Sequence, residues 1–202
     1  MKTTTITSIA SLALLASAAP VDISSGSITL QLSIDLGQEG IAANALDANQ
    51  LFAFTSMQAI HAVPEEVVNG TEATGGLAGA TGQFNFGINS AMNMICYNIT
   101  LHNFQGEFDS PATTATHIHE AARGASGPPR IAFPNPEPIS ADGVVRNSAG
   151  CIKGPFTTGV MVEGKDSGEG FHVSQIEANP AAFMADTHSS LALPGAVRGQ
   201  LA

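Results

Sequence analysis

The sequence predicts an all-β protein, an antiparallel β-sandwich or barrel with one short helix near residues 174–182. Three observations support this prediction. Residues 28–36 alternate apolar and polar side chains, which places one set on a single face of a strand. Further short runs of this kind follow, and 21 glycines and 11 prolines separate them. Helical spacing is found in one place, where Pro180 limits its regularity.

The predicted strands continue along the chain. The second covers residues 51–55, and residues 64–79 form a long surface connection. A hairpin comes next, with Phe84, Phe86 and Ile88 facing Ile95 and the alternate residues after it. The remaining strands are predicted over residues 114–120, 130–133, 183–189 and 196–202.

The first residues have the pattern of an export signal. One lysine precedes an apolar stretch, and Ala16-Ser17-Ala18 is the small-x-small pattern that signal peptidase accepts. We therefore predict a signal peptide over residues 1–18, an N-terminal strand and linker over 19–50 and a β domain over 51–202. The expected location is extracellular, and no later stretch is apolar for long enough to span a membrane.

The charge balance excludes some classes of partner. The chain has seventeen acidic and seven basic residues, so its formal net charge is -10. A chain of this charge repels phosphate backbones and anionic lipid, and we expect neither nucleic acid nor a membrane as partner. Phosphate-binding loops and the Gly-x-Ser-x-Gly nucleophile motif are also missing from the sequence.

Cysteine and asparagine residues fit an exported glycoprotein. Cys96 and Cys151 can form one disulfide, the alternative being two buried thiols. Asn69 and Asn98 each begin an Asn-x-Thr acceptor triplet for N-linked glycan. Cys96 and Asn98 share a strand face, so the disulfide lies on the outer face, or Asn98 is unmodified, or a bulge breaks the parity.

The stretch Thr116–Glu120 carries the most chemical information. His117 and His119 are two residues apart, so a strand directs both imidazoles to one face while Ile118 faces the core. Imidazole pairs of this kind can ligate a transition metal. His-x-His alone is a weak signal, because exposed histidines also occur in ordinary strands.

Two segments resemble a known family. The passage from Ala115 to Phe133 is similar to the chordin-type (CHRD) domain, in which a His-Ile-His strand precedes a small-residue loop and Gly-Pro. Residues 176–188, with Asp186-Thr187-His188, and residues 194–201 resemble the closing motif of the same domain. The resemblance covers about residues 51–202. It implies a secreted or cell-surface module, and the region 142–170 departs from the compact microbial pattern.

The resemblance extends the candidate metal site. His188 matches the histidine of the closing motif, which implies a three-imidazole site with His117 and His119, suited to copper or zinc. His172 is a candidate fourth ligand. Glu120 and Arg198 are candidates for residues that contact the ligands and orient them without touching the metal. The His-x-His strand is also faintly similar to copper-zinc superoxide dismutases, although a bridging histidine and the full zinc-binding set are not found.

These features lead to two functional expectations. The first is a non-enzymatic extracellular binding or structural module, of Greek-key dismutase-like or immunoglobulin-like architecture, whose partner is an unknown protein or cell-surface component. The alternative is a copper- or zinc-binding protein with redox activity like that of superoxide dismutase. Metal content distinguishes the two.

Overall fold

The computed structural model describes residues 53–202, which belong to one compact unit. The predicted signal peptide, the predicted strand over residues 28–36 and the linker lie outside the described residues. Within this part of the chain the fold is an antiparallel β-sandwich whose sheets do not close into a barrel, so the sandwich form of the prediction is confirmed.

The first sheet contains five strands in the order β1-β4-β5-β9-β8. Their bounds are β1 Ser56–Ala62, β4 Thr81–Asn89, β5 Met94–His102, β8 Glu137–Pro138 and β9 Arg146–Lys153. The predicted hairpin is β4–β5, in which Phe84 pairs with Ile99 and Phe86 with Tyr97. Its turn is a 3-10 helix, Ser90–Met92, that Asn89 caps by accepting a hydrogen bond from the Met92 N–H.

The second sheet contains four strands in the order β13-β12-β6-β7. Their bounds are β6 Thr116–Glu120, β7 Pro129–Phe133, β12 Phe183–Ser189 and β13 Ala192–Gln200. Two short hairpins, β2 Val68–Asn69 with β3 Glu72–Ala73 and β10 Met161–Val162 with β11 Lys165–Asp166, lie outside these sheets. A backbone bridge between Val63 and Arg198 joins the two sheets beside β1 and β13.

The core lies between the sheets and uses alternate residues of each strand. Phe133 of the second sheet contacts both Phe86 and Tyr97 of the first, with ring centroids 5.4 and 5.0 Å apart. Ile118 of β6 is fully buried in the same cluster. Each large apolar side chain buried in this way stabilises the fold by about 1.5–3 kcal/mol, so the period-two pattern determines which face of each sheet is internal.

Two local predictions differ from the structure, and a third, the short helix near residues 174–182, is confirmed in a shorter form. For residues 53–55 no strand forms, and β1 begins at Ser56. The ring of Phe54 lies over Gly87, which has no side chain to block it. The connection over residues 64–79 contains a 3-10 helix, Pro64–Glu66, and the β2–β3 hairpin, since Val67 and Val68 are buried. The predicted helix divides into α1, Ser174–Ala178, and a 3-10 turn, Pro180–Ala182, as Pro180 requires.

Candidate metal centre

The candidate site lies on the outer face of the second sheet, away from the sandwich core. Strand register places His117 of β6 opposite Asp186 of β12, which is in turn opposite Arg198 of β13. His119 is two residues beyond His117, and His188 two residues beyond Asp186, so all of these side chains share one face. Ile118 points the other way, into the core, as predicted.

Four of these residues bring ligand atoms together. His117, His119, Asp186 and His188 each offer one atom, and the four atoms all lie within 4.8 Å of one another. Asp186 Oδ1 is 3.1 Å from His119 Nε2, 3.4 Å from His188 Nε2 and 3.7 Å from His117 Nδ1. This set contains the three histidines that the sequence suggested and one carboxylate that it did not.

A backbone carbonyl orients each imidazole. His117 Nε2 lies 2.6 Å from the Thr114 oxygen, His119 Nδ1 lies 2.8 Å from the Gly127 oxygen, and His188 Nδ1 lies 2.7 Å from the Leu193 oxygen. A carbonyl oxygen can only accept, so these ring nitrogens carry the proton and donate it. The other nitrogen of each neutral ring then directs a lone pair toward Asp186, which is how histidine ligands are usually held.

The centre of the cluster contains buried polar atoms without hydrogen-bond partners. Asp186 Oδ1 and His188 Nε2 are both of this kind. A lone pair facing a carboxylate oxygen at 3.4 Å is repulsive unless a cation or a proton lies between them. The residues therefore fit a metal ion on the chemistry of their own donor atoms.

The protonation tendencies of the cluster agree with a site for positive charge. Burial raises the pKa of Asp186, but the charges of His119 and His188 outweigh it and hold that pKa well below its usual range. Burial lowers the pKa of His117. For His188, burial is outweighed by the Asp186 carboxylate, and the pKa is raised. The Asp186 carboxylate thus favours positive charge at the position that it shares with His188.

Arg198 holds the far side of the carboxylate. Its Nη2 atom lies 3.4 Å from Asp186 Oδ2 and 3.3 Å from the Pro194 oxygen. One oxygen of Asp186 thus faces the guanidinium and the other faces the imidazoles. Arg198 therefore contacts one of the candidate ligands, as the sequence suggested. The ligand that it contacts is the Asp186 carboxylate and not a histidine.

Glu120 and His172 lie elsewhere. Glu120 follows His119 by one residue and so takes the opposite direction, where its Oε2 accepts hydrogen bonds from Arg130 at 2.7–2.8 Å. His172 precedes α1, and its Nδ1 lies 2.8 Å from Ser174 Oγ. Neither belongs to the converging set, and Asp186 takes the fourth position for which His172 was the candidate.

Period-two spacing could have identified Asp186 from the sequence. Asp186 and His188 are related in the same way as His117 and His119, so an Asp-x-His strand beside a His-x-His strand predicts four ligands on one face. Only the histidine of this pair was predicted as a ligand. Asp186 is fully buried, as a carboxylate is when charged partners surround it.

The disulfide is present, and it resolves the parity conflict. Cys96 of β5 is directly opposite Cys151 of β9, and their sulfur atoms are bonded. Both cysteines lie on the outer face of the first sheet, with the exposed Asn98 two residues from Cys96. Asn69 is also exposed, in β2. Both acceptor asparagines therefore reach the surface, and their modification stays a prediction.

Comparison with known proteins identifies the family. The family model of the CHRD domain matches residues 57–201, most of the chain. This chain therefore belongs to the CHRD-domain family. No curated protein and no solved structure gives a significant match. Among residues 53–202, no helix has the length and apolarity that crossing a bilayer requires.

Proposed function

We propose that this chain is a secreted CHRD-domain protein that binds one zinc or copper ion through His117, His119, Asp186 and His188 and acts outside the cell as a binding or structural module. The observation that carries the proposal is the convergence of four buried donor atoms, two of them without hydrogen-bond partners. Three imidazole nitrogens and one carboxylate oxygen form a donor set typical of zinc and copper.

The extracellular part of the proposal rests on other features. The CHRD family is of extracellular type, and a disulfide persists in an oxidising compartment. The export pattern in residues 1–18 agrees with both. A non-enzymatic role is proposed because nucleophile and phosphate-binding motifs are missing from the sequence.

Elemental analysis tests the metal site directly. The protein should be purified without a chelating tag and its metal content measured per chain. We expect about one zinc or copper ion in the wild type and none in His117→Ala/His119→Ala. Asp186→Asn, which preserves the side-chain shape, should also lose most of the metal.

His172→Ala is the matched control, because it removes an imidazole from outside the cluster and should leave the metal content unchanged. Thermal unfolding provides a second measurement. A bound ion at about 1,000 times its dissociation constant adds about 4 kcal/mol to the stability. A metal-free protein whose melting temperature ignores both zinc and copper would contradict the proposed site.

A second candidate function is redox chemistry in a copper-loaded form. It is favoured by three imidazole donors, since nitrogen ligands suit copper, and by the partial exposure of His119 and His188. The measurement is superoxide consumption by the copper-loaded protein. A rate no greater than that of the copper-treated His117→Ala/His119→Ala variant would eliminate this candidate.

A further inference from the structure

A cavity of about 430 Å³ lies directly against the candidate metal centre. His117, His119 and His188 form one side of it. The side chains of His119 and His188 are 11 and 12 % exposed, whereas Asp186 is fully buried. The accessible side of the cluster is therefore the side that faces the cavity.

The walls of this cavity are apolar. Pro111, Ala112, Pro128, Pro129, Val160 and Val162 line it. Among the other described lining residues, Ser110 carries a hydroxyl, which accepts a hydrogen bond from the Ala112 N–H and keeps its own O–H as a donor. The Gly127 carbonyl is likewise used by His119. A molecule in the cavity thus finds hydrocarbon around it and polar groups mainly at the histidines.

The net charge of the metal-bound centre determines which polar group a molecule in the cavity should carry. A divalent ion placed beside one carboxylate, Asp186, and one guanidinium, Arg198, leaves an excess of positive charge. In a poorly hydrated site, a single anionic donor atom compensates this charge best. Apolar walls then favour a hydrocarbon body behind that donor.

We propose that the cavity binds a small amphiphilic acid, a molecule with one anionic head that ligates the metal and an apolar body that contacts the proline and valine walls. This inference rests on the proposed metal site. It further assigns to that site a coordination position open to the cavity and the chemical class of the molecule that would occupy it.

Cobalt substitution makes the test visible. The full mature chain is loaded with Co²⁺, whose absorption bands report coordination, and is titrated separately with acetate, butyrate and hexanoate. We expect each carboxylate to shift the bands, and the dissociation constant to fall by about threefold to fourfold for each added methylene that becomes buried. The three acids share one head group, so the trend isolates the apolar body.

Variants of the wall provide the matched comparison. Val160→Thr/Val162→Thr keeps the shape of both side chains but replaces methyl groups with hydroxyls, and it should flatten the chain-length trend while cobalt still binds. Ile139→Thr also replaces hydrocarbon by a hydroxyl, with the loss of one carbon, at an exposed residue outside the cavity, and it should preserve the trend.

The possible failures are distinguishable. Cobalt bands that no carboxylate shifts would mean a closed coordination shell, and equal affinities for acetate and hexanoate would mean that the walls contribute nothing. Either result overturns this inference and leaves the metal site intact. A chain that takes up no cobalt, zinc or copper overturns both.

Discussion

At the scale of single residues, Asp186 has two oxygens with different surroundings. Its Oδ1 faces three imidazoles and its Oδ2 faces the Arg198 guanidinium, while the side chain itself is fully buried. A buried carboxylate without such partners would be protonated or would destabilise the fold by several kcal/mol. The arrangement keeps Asp186 ionised, which is the form that a metal requires.

Arg198→Met tests this electrostatic role. The substitution keeps a long apolar side chain but removes the charge beside Asp186, so the metal-free protein should lose about 3–5 kcal/mol of unfolding free energy. Arg123→Met is the control, because Arg123 pairs with Glu66 at the surface and its side chain is 57 % exposed. That change should cost at most about 1 kcal/mol. Denaturant unfolding measures both, and equal losses would contradict the role assigned to Arg198.

At the scale of elements, strands with a strict alternation of side chains were predictable. The β4–β5 hairpin was predicted because its apolar residues recur every second position. Strand β9 was missed, since most of its residues are exposed or half-buried and few are apolar. It is held to β5 by backbone hydrogen bonds and by the Cys96–Cys151 bond. Neither interaction requires apolar residues at every second position, so the sequence shows no alternation there.

The candidate site was partly predictable for the same reason. Spacing placed His117 and His119 on one face, and the family resemblance added His188. The carbonyls of Thr114, Gly127 and Leu193, which orient the rings, are backbone groups of loops and strand ends. A side-chain pattern carries no information about them, so the geometry of the imidazoles needed the structure.

Asp166 of β11 provides a pH-dependent prediction. Burial opposes ionisation of Asp166, but backbone N–H groups of Thr158, Gly168 and Gly159 donate to its carboxylate and lower its pKa. A depressed pKa means that the stabilisation is present above the unfolded-state value, about 4, and is lost as the pH falls through the lower folded-state value.

Asp166→Asn should therefore destabilise the protein at pH 7 and weaken the dependence of its unfolding free energy on pH below about 4. The measurement is denaturant unfolding of both proteins between pH 2 and pH 7. Asp109→Asn makes the same substitution at an exposed residue in another loop and serves as the control. Identical pH profiles for wild type and Asp166→Asn would contradict the assignment.

At the scale of the whole molecule, the proposed secretion has consequences for the covalent structure. The mature chain should begin at Ala19, and glycan should be attached at Asn69 and Asn98, which are both exposed. Peptide mapping of protein secreted by a eukaryotic host, before and after enzymatic deglycosylation, measures all three positions. An intact Met1 in the secreted material, or two unmodified asparagines, would contradict the corresponding prediction.

The location of the histidine cluster on the outer side of its sheet separates two tasks that many metalloproteins combine. The hydrophobic core between the sheets shares no side chains with the histidine cluster, because neighbouring residues of β6 and β12 point in opposite directions. The metal-free protein should consequently keep the β-sandwich, and its structure should change mainly in the loops that cover the imidazoles. Substitutions in the loops that cover the imidazoles should therefore change the selectivity for ion or ligand more than they change the stability of the sheets.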